Sequence, residues 1–107
     1  MSILTCPWKS AIITIATSTT VSAEVDLENN ADFLQIIMPA LTSCLVSVQV
    51  AEVSGGTFQD LGDGVTTATT TGSYTTTFKL GGFRFIKIKT SAAQGANRTF
   101  TVRGVKN

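Results

Sequence analysis

Thr20-Val21-Ser22-Ala23-Glu24-Val25-Asp26-Leu27 alternates polar and apolar residues without a break. Val21, Ala23, Val25 and Leu27 fall on one side, and Ser22, Glu24 and Asp26 on the other. That period of two belongs to a β-strand buried on one face. The same signature recurs along the chain. Residues 44–53 (CLVSVQVAEV) set Val46, Val48 and Val50 against Ser47, Gln49 and Ala51, and read as the central strand. Residues 98–105 (RTFTVRGV) direct Phe100 and Val102 to a core. Residues 10–16 (SAIITIA), 33–38 (FLQIIM), 57–61 (TFQDL) and 74–80 (YTTTFKL) add further strands. The apolar run 33–38 stops at Pro39, which removes a donor and disfavours continuation.

Turn chemistry separates these runs. Glu28-Asn29-Asn30-Ala31-Asp32 reads as a turn, because Asn and Asp bond their own backbone. Gly55-Gly56 and Gly81-Gly82 read as turns, and Gly62-Asp63-Gly64 carries the Asp-Gly pair of a tight hairpin. Residues 65–71 (VTTATTT) suit an edge strand or a loop, and residues 91–97 (SAAQGAN) a loop. In residues 83–90 (FRFIKIKT), Phe83 and Phe85 share a face with Lys87 and Lys89, while Ile86 and Ile88 share the other with Arg84. A bulge near Phe85-Ile86 would turn all four apolar groups inward. The pattern predicts an all-β fold: an antiparallel β-sandwich, jelly-roll-like, of eight or nine short strands. Residues 1–9 form an N-terminal arm, and residues 10–107 the sandwich domain.

Charge divides the chain. Residues 1–63 carry Glu24, Asp26, Glu28, Asp32, Glu52, Asp60 and Asp63 against Lys9 alone, a formal −6. Residues 64–107 carry seven bases and no acid, a formal +7. Two arrangements follow. Either strands of the two halves interleave and neutralise locally, or acid and base segregate to separate surfaces. Only 14% of residues are charged, and 18 threonines make the polar exterior mostly hydroxyl.

The residue types narrow the chemistry. Without histidine there is no Ser-His-Asp triad and no Cys-His pair. Glu24 with Asp26, and Asp60 with Asp63, are the available carboxylate pairs. The first points outward from a strand, and the second flanks a hairpin tip, so both read as surface groups. The sequence 60–64 (DLGDG) lacks the alternating oxygen donors of a calcium loop, so no metal or other cofactor is expected. Residues 82–88 (GFRFIKI) come close to an RNA-recognition strand. Arg84 and Ile88 break that pattern, and nucleic acid is not an expected partner. No run is long enough for a transmembrane helix, and the N-terminus lacks the features of a signal peptide. A chain made without export keeps Cys6 and Cys44 reduced. Cys44 belongs in the core and Cys6 on an exposed arm, and a Cys6–Cys44 bond is the alternative. Trp8, following Pro7, either caps the end of the sandwich or inserts into a neighbour. The candidate partner contacts are Trp8, Glu24, Asp26, Lys87, Lys89 and Arg103.

Residues 83–93 (FRFIKIKTSAA) and 96–102 (ANRTFTV), together with 36–40 (IIMPA) and the Val-rich 46–50, resemble small virion proteins of tailed bacteriophages. Those proteins combine an aromatic-Ile-Lys-Ile strand, a Ser-Ala-Ala loop, an Arg-Thr-aromatic strand and an apolar strand ending in Met-Pro-Ala. Cys6-Pro7-Trp8 has no counterpart in that pattern. The resemblance implies a head decoration or cement protein assembled in the host cytoplasm. Such a protein would sit on the outer surface of the head, bind the major capsid protein as a dimer or trimer, and catalyse nothing. The competing expectation is a carbohydrate- or receptor-binding module, or a tail or collar component.

Overall fold

The computed structural model describes residues 4–17, 20–41, 44–61, 66–68 and 74–106; for Leu4, Thr66, Thr67, Ala68 and Tyr74 the description is of backbone alone. The described residues are all β. Their strands are β1 (Leu4–Thr5), β2 (Lys9–Ile13), β3 (Val25–Met38), β4 (Cys44–Ala51), β5 (Gln59–Asp60), β6 (Thr66–Ala68), β7 (Tyr74–Thr90) and β8 (Arg98–Lys106). Hydrogen bonding runs through one antiparallel sheet in the order β1-β8-β3-β7-β4-β5, with β2 also on β8 and β6 also on β4. The expected hairpin tip at Gly62-Asp63-Gly64 lies outside the described residues.

Two strands are long where short ones were expected. β3 has 14 residues and β7 has 17. Each absorbs a segment that reads as a turn. Residues 28–32 do depart from regular geometry: Glu28 takes a φ of 75°, and its N–H donates to Asp26 Oδ1 at 2.8 Å. The result is a pair of register shifts, between Asp26 and Ala31 and between Ala31 and Phe33, inside a continuing strand. Opposite them, Gly81 and Gly82 take φ of 78° and 99°. A Cβ at either would meet nothing within 4 Å, so glycine is needed there for its dihedral rather than for space. These irregularities bend the β3–β7 ribbon without reversing the chain. The bulge expected at Phe85-Ile86 therefore sits on the partner strand, β3. Ile86 and Ile88 still turn inward, Phe83 packs against the core, and Phe85 stays half-buried.

The bend divides the sheet into two parts. On one side β3 and β7 are extended by β8 and β2, and on the other β7 is extended by β4, so β3 and β7 are the central strands and β4 is not. Both parts feed one buried cluster. Ile13, Leu34, Phe78 and Phe100 come from the first, and Val46, Val48, Ile86 and Ile88 from the second. Each such side chain contributes about 1.5–3 kcal/mol on leaving water.

Residues 20–24 span the two parts, and here strict alternation fails. Val21 lies outside the strands in an isolated bridge to Lys89, Ala23 is exposed, and Ser22 is 3% exposed. Ser22 N–H donates to Ile88 O at 2.8 Å, and Ile88 N–H donates to Ser22 Oγ at 2.9 Å. Ala23 N–H reaches Ile12 O at 3.2 Å. The serine hydroxyl thus replaces a ladder carbonyl, which is why a polar residue turns inward.

Cys6, expected on the surface, is buried, because its N–H donates to Gly104 O at 2.8 Å and draws the arm onto β8. Cys6 and Cys44 are both free thiols.

Candidate binding face

The strands β2, β8, β3 and β7 present one outward surface. Their register lines up its rungs. Ser10 pairs with Thr101, Thr101 with Ile37, and Ile37 with Thr75. Ile12 pairs with Thr99, Arg103 with Gln35 and Gln35 with Thr77, and Val105 with Phe33 and Phe33 with Lys79. Alternation along each strand sends the neighbours of these residues, such as Leu34, Ile36, Phe100 and Val102, into the core. The outward set is therefore a consequence of the inward one.

Trp8 is attached one step before the Lys9–Val102 pair. The Arg103 guanidinium lies 4.4 Å from the centre of its ring, and Arg103 Nε donates to Gln35 Oε1 at 2.6 Å. The stack fixes the indole against the sheet, and Trp8 still remains 42% exposed. It does not cap the core. Ile12, at 40%, and Ile37, at 39%, are exposed on the same surface, opposite Thr99 and Thr101. None of the outward rung positions carries a carboxylate, so the positive charges of Arg103 and Lys79 are not matched within those rungs.

The outer surface beyond the bend differs. Asp26 binds Arg84 through two bonds, Nε to Oδ1 at 2.6 Å and Nη2 to Oδ2 at 2.9 Å. This guanidinium bonding, aided by the Glu28 N–H, holds the Asp26 carboxyl below the usual carboxylate range and raises Arg84 in return. Arg84 also lies over Phe85, 5.2 Å from the ring centre. Lys89 pairs with Asp60 at 3.4 Å. Asp60 accepts from Gln49 Nε2 at 3.0 Å, and the Gln49 and Lys89 bonds together lower its pKa. Lys87 sits over Phe58 at 4.5 Å, and at the bend itself Glu28 pairs with Lys9 of β2. Glu24 accepts from Gly55 N–H at 2.7 Å and from Ser54 Oγ–H at 2.6 Å, bonds that lower its pKa and pin the loop after β4.

The six nominated contacts therefore do not form one site. Trp8 and Arg103 come together on the first surface. Asp26, Lys87 and Lys89 lie on the second, each engaged by a neighbour, and Glu24 holds a loop. The divided charge of the sequence is matched across strands in part, through Asp26–Arg84 and Asp60–Lys89. Ile37, Gln35 and Lys79 were not nominated. Ile37 was hidden in the apolar run 33–38, where Gln35 is the one polar residue that marks the outward side.

Polar residues beside the core also have defined partners. Gln94 is buried, donating to Ala92 O at 3.0 Å and to Cys44 Sγ at 3.7 Å, while Arg98 Nε donates to its Oε1 at 3.1 Å. Burial pushes the Cys44 thiol up. Asn97, the first residue of a glycosylation-like triplet, accepts the Ile15 N–H at 3.0 Å. Among the described residues no three His, Cys, Asp or Glu side chains are grouped to hold a metal ion, and no helix is long and apolar enough to cross a membrane. No protein-family model, curated protein or solved structure matches this chain.

Proposed function

We propose that this chain is a structural virion protein of the capsid decoration or cement type. It binds the outer surface of a phage head and stabilises the lattice of the major capsid protein. The observation that carries the proposal is the contrast between its two outer surfaces. Beyond the bend, Arg84 and Lys89 are paired with Asp26 and Asp60 of the same chain. On β2-β8-β3-β7, exposed Trp8, Ile12 and Ile37 lie beside Arg103 and Lys79, with no acid among the rungs. Exposed apolar side chains with a fixed aromatic–arginine anchor are the composition of an interface centre. The uncompensated cations favour a partner surface that carries carboxylates.

The placement on a virion rests on the sequence blocks that resemble phage proteins. In the fold, residues 83–90 and 98–102 of those blocks lie in β7 and β8. In this reading the curled sheet closes on its core as a jelly-roll-like sandwich. The protein acts as a dimer or trimer, uses no cofactor and performs no catalysis. Repetition over a lattice lets a modest interface per copy add up to substantial reinforcement.

Cryo-electron microscopy and mass spectrometry of purified particles test the proposal. The expected result is density for this β-fold outside the major capsid protein, with β2-β8-β3-β7 facing the shell. A particle in which the protein is missing from the head overturns it.

A further inference from the structure

A groove runs across the bend in the sheet, away from the β2-β8-β3-β7 rungs. It consists of two adjoining hollows of about 400 and 290 Å³, which share Glu52 and Phe83. The larger reaches Thr57 and Gln59, and the smaller reaches Asn30, Arg84 and the backbone of Gly81 and Gly82. The larger falls within the ~300–1,000 Å³ range of small-molecule sites, and the smaller at its lower edge.

The lining has a definite chemical character. Phe83 packs on the core and presents its remaining surface to the groove, so it is a fixed apolar platform. Around it stand neutral hydrogen-bonding groups, the Asn30 and Gln59 amides and the Thr57 hydroxyl. Arg84 is held by two bonds to Asp26, so its plane is set and its charge is matched. Among the described lining residues Glu52 is then the ionic group without a charged partner, and it disfavours anions. Gly81 and Gly82 leave the backbone bare, since even a Cβ there would touch nothing within 4 Å. One wall is already rigid: Glu24 fixes Ser54 and Gly55 at 2.6 and 2.7 Å, and Gly56 N–H donates to Val53 O at 3.1 Å. A preordered wall lowers the entropy lost on binding.

We infer that this groove binds a neutral saccharide, with one pyranose ring seated on Phe83. The C–H face of a pyranose matches an apolar aromatic platform. Adjacent hydroxyls match the planar two-atom ends of Glu52, Asn30 and Gln59, which can accept or donate in pairs. An anionic sugar meets Glu52, and a simple amine leaves the amide groups without partners.

Amide-resolved NMR titration of the full chain tests this. The probes are neutral oligosaccharides of glucose, galactose, mannose and N-acetylglucosamine, with glucuronic acid and methylammonium as charged controls. The expected result is that at least one neutral sugar shifts the amides of residues 30, 52, 56–59 and 81–84. Glu52→Ala and Asn30→Ala, both at exposed positions that keep the fold, should each weaken that binding about tenfold, the effect of losing a hydrogen bond to a charged or well-placed partner. Three results overturn the assignment: no neutral sugar moves these amides, only a charged control does, or the two variants bind as the parent does. The β2-β8-β3-β7 face is untouched by these variants, so failure here leaves the proposed docking face standing.

Discussion

Gly104 of β8 lies against Ala31, between the two register shifts of β3, and replacing it with alanine adds one methyl group to a site with no room. A Cβ there would stand 2.8 Å from Ala31 Cβ, and 3.5 Å from both Cys6 Sγ and Leu27 Cβ. Carbon atoms rest at about 3.5–4.0 Å, so the first contact must open by roughly 0.7 Å or more. Neither side yields easily. Ala31 is held opposite Phe83 in β7, and Gly104 opposite Leu34 in β3. Overpacking of this kind costs about 1–3 kcal/mol. Gly104 is not in the left-handed region, so alanine recovers about 0.4–1 kcal/mol by restricting the unfolded chain. A contact as short as 2.8 Å puts the overpacking at about 2–3 kcal/mol, so the net expectation is a loss of about 1–2.6 kcal/mol, a fall in Tm of roughly 4–20 °C. Urea and thermal unfolding followed by circular dichroism give both quantities. Ala31→Gly removes the opposing methyl, so the double variant should be less destabilised than the sum of the two single changes. A Gly104→Ala protein as stable as the parent, or strictly additive single changes, would refute the close approach of β8 to β3.

The other expectations concern polar groups. Ser22→Ala leaves the Ile88 N–H without its buried acceptor and should cost about 1–3 kcal/mol in the same unfolding assays; a neutral result would mean residues 20–24 do not cross the sheet as described. Glu24, Asp26 and Asp60 all have lowered folded pKa values. Their stabilisation is therefore present above the ordinary carboxylate range and lost as pH falls through the lowered folded values. Tm should hold steady from about pH 7 to 5 and decline below about pH 4. A Tm that rises on acidification through that window would contradict the assigned bonds. Asp26→Asn should cost only about 0.2–1 kcal/mol at neutral pH, because the Arg84 pair is well exposed; a much larger loss would show that the pair is shielded from water.

Alternation carried most of the strand reading, and it worked where a strand is covered on one side. In β4, Val46, Val48 and Val50 are buried and Leu45 is exposed, as period two requires. Phe100 and Val102 in β8 behave likewise. The turn signals at 28–32 and 81–82 misled for a physical reason. Asn, Asp and Gly report a tolerance for left-handed backbone, and a bend inside a long strand needs it as much as a hairpin does. Which one forms depends on the strand across the way, and local sequence does not contain that. The charge pattern had the same gap. Asp26 and Arg84 are 58 positions apart, and register alone makes them partners. Trp8 and Arg103 were each nominated from the sequence, but their stacking, and the exposure of Ile37, required the fold.

Binding of the purified protein to phage heads that lack it tests the central claim most directly. Co-sedimentation should show saturable binding by the parent chain that weakens as salt rises. Lys79→Glu and Arg103→Glu, on the β2-β8-β3-β7 face, should reduce affinity at least about tenfold, the scale of a lost charge pair at an interface. Lys87→Glu and Lys89→Glu, beyond the bend, should bind as the parent does. Loss of binding on changing Lys87 and Lys89, with Lys79 and Arg103 indifferent, would place the docking surface on the other side of the molecule and contradict the account.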